Sequence, residues 1–170
     1  MEFSNNTVDL DLLPKYEETK LQPLQPDYWK VIVINLVFFL LAIAICIAVV
    51  VWLKEETKPH LWKIIVLYIK FACGLFLTYY LSYKRRGVAV REKDIIYRSG
   101  ILSVSTTIIP FVRIQHVALK EGFISRSYNL ATLEVFTAGG ATGNLNIPGL
   151  KIDEAKKIKE LLLNKLEENA

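Results

Sequence analysis

From Val31 to Leu53 the chain runs without one charged side chain, between Lys30 and Lys54. At about 1.5 Å rise per residue, a helix of that length crosses a hydrocarbon core roughly 30 Å thick. A signal-peptide core is shorter and starts within the first residues, and a helix inside a soluble domain rarely keeps so long a charge-free run. The sequence therefore predicts a membrane span over residues 31–53. Its one strongly polar residue, Asn35, lies near the Lys30 end, within reach of headgroups or a neighbouring helix. Trp52 lies near the other end, where an indole gains from one wet edge.

The stretch Lys54-Glu55-Glu56-Thr57-Lys58-Pro59-His60 breaks the run and reads as a short loop. A second apolar stretch follows from Leu61 to Tyr83, opened by Trp62 and closed by Tyr79, Tyr80 and Tyr83 in the manner of two aromatic belts. Lys63 can snorkel to the surface. Lys70 lies deeper and costs a few kcal/mol unless it meets a partner or bends its stem toward a headgroup, on the order of insertion scales. With Asn35 it is a candidate intramembrane polar contact, to the other helix or to another subunit. Gly74, one turn beyond Lys70, is a position where helices can approach closely.

Beyond Tyr83 come Lys84, Arg85 and Arg86, then Arg91, Lys93 and Arg98. Such a cluster marks the cytoplasmic side of a span, and it outweighs Lys54, Lys58 and Lys63 around the loop. Two crossings then place both termini in the cytoplasm and the loop outside, in a multi-pass membrane protein. Lys84, Arg85, Arg86 and Arg91 are also candidates for binding anionic lipid headgroups, each such residue contributing on the order of 1 kcal/mol near an anionic surface.

Three regions result: a flexible polar tail over residues 1–27 with Pro14, Pro23 and Pro26, a transmembrane hairpin over 28–83 with spans at about 31–53 and 61–83, and a globular part over 84–170. In the last, short β-rich pieces cover Gly87 to Arg91, Ile95 to Leu102, Ser103 to Pro110 and Val112 to Leu119. Leu133, Val135 and Thr137 alternate against Glu134 and Phe136 in the clearest strand. The glycine-rich stretch 139–144 lacks a P-loop lysine and reads as a hairpin turn, with Leu145 to Ile147 pairing back. From Ile152 the period turns helical, with Ala155, Ile158, Leu162 and Leu166 on one face, helped by Leu161, and with Asp153 placed to pair with Lys157.

Catalytic parts are scarce. Two cysteines, Cys46 and Cys73, both fall in apolar segments, and of two histidines His60 is in the loop and His116 on a strand. No metal-ligand spacing, nucleophile elbow or cofactor-binding motif appears, so the chain is expected to be no enzyme and to carry no metal or cofactor. Nucleic-acid binding is disfavoured because the excess of the +4 net charge lies beside the spans. Two helices enclose no transport pathway.

Two spans, a basic exit, short strands and a terminal amphipathic helix come in a familiar order. Within it lie Ile95 to Leu102, Thr107 to Val117 with Pro110 and Arg113-Ile114-Gln115, and Ile124 to Gly140 with Leu133 followed by Thr137-Ala138-Gly139. On these residues the chain resembles the bacterial pleckstrin-homology-like membrane proteins of the YdbS-like group, from about Leu24 to Leu166. The resemblance implies an α+β membrane protein: a two-helix transmembrane hairpin, then a PH-like β-sandwich or partly open barrel of about seven strands, capped by a C-terminal helix. The family pattern has glycine where Asn129 stands, and asparagine tolerates the left-handed backbone such a turn needs. The fold hosts protein, peptide and lipid-headgroup binders alike. One expectation is a membrane-tethered protein-interaction or assembly module of the cell envelope, in its assembly or protection, with Arg113, Gln115 and His116 as partner-binding candidates. Its partner is then a second copy or a related PH-like membrane protein. The alternative is recognition of anionic lipid headgroups at the inner leaflet.

Overall fold

The computed structural model describes residues 18–101, 103–138 and 143–168. The tail expected before residue 18 and most of the glycine-rich turn lie outside the described residues. Strand β1 (Gln22–Pro23) precedes helix α1 (Pro26–Leu53), a three-ten turn over Glu55–His60 and helix α2 (Leu61–Arg85). Pro26 opens α1 at a position where the missing N–H costs nothing. Then come β2 (Gly87–Val90), β3 (Asp94–Ser99), β4 (Ser105–Pro110), β5 (Ile114–Lys120), the short helix α3 (Phe123–Ser127), β6 (Leu130–Thr137), β7 (Leu145–Lys151) and helix α4 (Ile152–Glu168).

Both long helices are apolar enough and long enough to cross a membrane, and almost nothing in the protein covers them. Phe38, Phe39, Trp62 and Leu67 stand exposed along their lengths. Burial occurs only at one end: Val31, Ile32 and Leu36 in the first turns of α1, and Ser82 near the close of α2. Midway, the Tyr68 hydroxyl donates to the Leu40 carbonyl at 3.0 Å. Gly74 is no packing notch, because a methyl group added there would meet nothing within 4 Å.

The strands form two antiparallel sheets, ordered β1-β2-β3-β4 and β5-β6-β7, which do not close on each other into a barrel. Between them lie Ile95, Val117, Leu133, Val135 and Ile147, all within 2% of complete burial, each stabilising by about 1.5–3 kcal/mol. Ala155 and Leu162 of α4 complete this core, with Ile152, Ile158 and Leu166 packed against it. Leu161 departs from the expected face and remains exposed, and no ion pair joins Asp153 to Lys157 among the described residues. Asn129 takes the left-handed backbone expected of it, with φ of 53°.

One strand departs from the sequence reading. Residues 22 and 23, assigned to the tail, pair Gln22 with Val88 and Pro23 with Gly87. The first sheet is thus edged by residues that precede the hairpin, and the two segments flanking the hairpin meet at its base.

Candidate functional site

The base of the hairpin is a built joint. Trp29 places its ring against Phe76, Tyr80 and Tyr83, with centroids 5.2, 5.3 and 5.7 Å away. The Tyr83 hydroxyl donates to the Gln25 carbonyl at 3.3 Å, and the Gln25 N–H donates to the Gly149 carbonyl at 3.2 Å. Gly149 has a φ of +72°, and a side chain there would strike the Tyr28 ring at 2.4 Å. Only glycine suits both the backbone and the close approach. Gln25 Nε2 also reaches Glu154 of α4 at 3.4 Å, so the start of α1 is tied to both β7 and α4.

The basic cluster does not act as one patch. Lys84 and Arg85 are exposed at the base, Lys84 over the Tyr80 ring at 5.3 Å and Arg85 donating to the Ile101 carbonyl. Arg86 begins extended backbone after α2 and turns inward, its Nη1 donating to the Tyr28 hydroxyl at 3.5 Å. It also lies beside Tyr97, whose pKa is raised by burial, lowered by Arg86 and raised by Tyr28. Arg91 closes the β2–β3 turn as a fork onto Asp94, with Nε donating to Oδ1 at 2.6 Å. That turn is at the far end of β2, on the order of 13 Å of extended chain from Gly87. Among the four headgroup candidates, only Lys84 and Arg85 therefore present exposed charge at the base.

The proposed intramembrane pair is not brought together. Asn35 donates to the Val31 carbonyl of its own helix at 2.9 Å. Lys70 is exposed, with no hydrogen-bond or ion-pair partner among the described residues.

Arg113, Gln115 and His116 are all exposed at the end of the domain away from the hairpin. A bulge between Ile114 and His116 breaks the alternation of β5, so Gln115 and His116 both point outward while Ile114 and Val117 fill the core. His116 rests against the Phe136 ring, with centroids 5.7 Å apart. Next to this strand start lies an open groove of ≈ 720 Å³, bounded by Arg91, Glu92 and Lys93, by Pro110, Phe111 and Val112, and by Leu161 and Lys165 of α4. Val112, 73% exposed, and Leu161 give it an apolar floor within a charged rim. The sequence pattern put Leu161 on the buried side of α4 and Val112 at the start of a strand, so neither stood out as lining a groove. Among the described residues, no group of three or more His, Cys, Asp or Glu is placed to hold a metal ion.

A family model described as "Bacterial PH domain" matches residues 30–166. The transmembrane protein YdbS of Bacillus subtilis (strain 168), of an uncharacterised protein family numbered UPF0699, is 33% identical over 153 residues, which span 85% of this chain and 91% of the relative. No solved structure matches the chain.

Proposed function

This chain belongs to the bacterial PH domain family, and from that premise we propose that it is a non-catalytic, multi-pass protein of the bacterial cell membrane whose domain docks a polypeptide partner in envelope assembly or protection. The groove between the Phe111–Arg113 turn and α4 carries the reading. Its apolar floor, Val112 and Leu161, and its rim, Arg91, Glu92, Lys93 and Lys165, suit an amphipathic protein segment. It opens beside the β2–β3 turn, at the end of β2 away from the hairpin. Arg113, Gln115 and His116 lie beside it and widen the polar rim.

Both termini lie in the cytoplasm in this reading. The pairing of β1 with β2 supports their sharing one side, and Lys84 and Arg85 support that side being the inner one. The partner is a second copy or a related PH-like membrane protein, which also gives exposed Lys70 a contact within the bilayer. Lys84 and Arg85 add a general attraction to anionic lipid, on the order of 1 kcal/mol each, without selecting a headgroup.

A photo-crosslinking residue at Gln115, activated in intact membranes, tests the reading. The expected product is a protein adduct that disappears when Val112→Asp and Leu161→Asp are combined. Recovery of lipid adducts alone, or a protein adduct indifferent to both substitutions, refutes it.

A further inference from the structure

We propose that α3 is a second contact with the bilayer, in which Phe123 enters the lipid interface beside the start of α1. Phe123 is 93% exposed, the most exposed large apolar residue among the described ones. Its neighbours Lys120, Glu121, Gly122 and Arg126 are exposed too, so no pocket of the domain waits for the ring. An isolated phenylalanine held in water forgoes most of the free energy its burial offers.

The position of α3 identifies what covers it. Helix α3 packs against α1, and just beyond it Tyr128 receives the Lys30 ammonium over its ring at 5.9 Å. Lys30 is the last charge before the apolar run. The surface carrying Phe123 is therefore continuous with the lipid-facing surface of α1, at the depth where aromatic residues collect in membrane proteins. Exposed Arg126 in the same turn suits the phosphates just above that depth. On another side of the hairpin base, Arg85 holds the loop after β3 by the Ile101 carbonyl, and half-exposed Val104 follows in that loop. Phe123 on α3 and Val104 on the loop after β3 thus add two apolar points at the base to the packed joint that already ties the domain to the hairpin.

The inference rests on α1 entering the bilayer near Lys30, and its test separates the two. Nitroxide labels are placed by Phe123→Cys, Val112→Cys and Phe38→Cys, one at a time, in a chain carrying Cys46→Ala and Cys73→Ala. Each protein is reconstituted into phosphatidylethanolamine–phosphatidylglycerol vesicles, and collision with oxygen is compared with collision with a water-soluble nickel complex. The expected oxygen-to-nickel ratio at residue 123 is several-fold above that at residue 112 and approaches that at residue 38. A ratio at 123 equal to that at 112, with 38 in lipid, overturns the inference alone; all three in water overturn the span as well. In the cysteine-containing chain, Phe123→Asp is expected to speed hydrogen exchange over Phe123–Ser127 several-fold in the same vesicles, and unchanged exchange there also overturns the inference.

Discussion

The two ends of the hairpin are built on opposite principles. At the base, Trp29 meets three rings, Tyr28 lies on Gly149, Gln25 reaches β7 and α4, and the only buried residues of the long helices are found there. At the far end, the three-ten turn over Glu55–His60 has no buried residue, and an apolar cleft of ≈ 590 Å³ opens between Ala44, Ile47 and Val51 of α1 and Leu61 and Ile64 of α2. Lipid tails, being as apolar as the cleft walls, fill such a space at little cost, whereas water at the base would not spare a mismatched contact. The base is therefore specified residue by residue, and the far end by composition.

Substitution of matched residues at the two ends puts that contrast at risk. The largest effect is expected from Gly149→Ala, which combines left-handed strain with a clash against the Tyr28 ring, together about 4 kcal/mol. Gly74→Ala fills open space in a helix and is expected to be neutral or to stabilise by up to about 1 kcal/mol. Chemical denaturation in detergent micelles measures both, and equal losses would erase the distinction. Trp29→Ala follows, at about 2–3 kcal/mol because the indole is half-buried among three rings, against less than about 1 kcal/mol for exposed Trp62→Ala.

The smallest effect is one of pH, and it sharpens the picture of the base. Burial holds the Tyr97 phenol above its usual range, while Arg86 pulls it down and Tyr28 pushes it up. An unfolded phenol titrates at about 10. Below that pH the group is neutral in both states and stability is untouched; above it the unfolded chain releases its proton first, so stability falls as pH rises. Ultraviolet absorbance titration of the folded protein is expected to show some phenols ionising after the exposed ones, and Tyr97→Phe to take one phenol out of that late step and lessen the alkaline loss of stability.

Much of this architecture is legible in the sequence because hydrophobic period is a strong signal. The charge-free run became α1, the alternation of Leu133 and Val135 became the centre of β6, and the helical period of Ala155, Ile158, Leu162 and Leu166 became the buried side of α4. β1 was not legible, since two residues pairing through their backbone leave no alternation to read. Nor did the run of Lys84, Arg85 and Arg86 reveal that the third turns inward, because charge type says nothing of direction where a helix gives way to extended chain. The outward face of His116 depends on a bulge that shifts the register by one residue. Phe123 left a trace that went unused: an aromatic beside Gly122, among charged neighbours, with no periodic partner.

The pairing of Gln22 and Pro23 with Gly87 and Val88 also sets an order of events during synthesis. The outermost strand is made first, and its neighbour only after both helices of the hairpin have been synthesised. The sheet can acquire that edge only when the segments before and after the hairpin lie on the same side of a bilayer, so a chain with one greasy segment threaded and the other left behind would keep β2 without its outer partner.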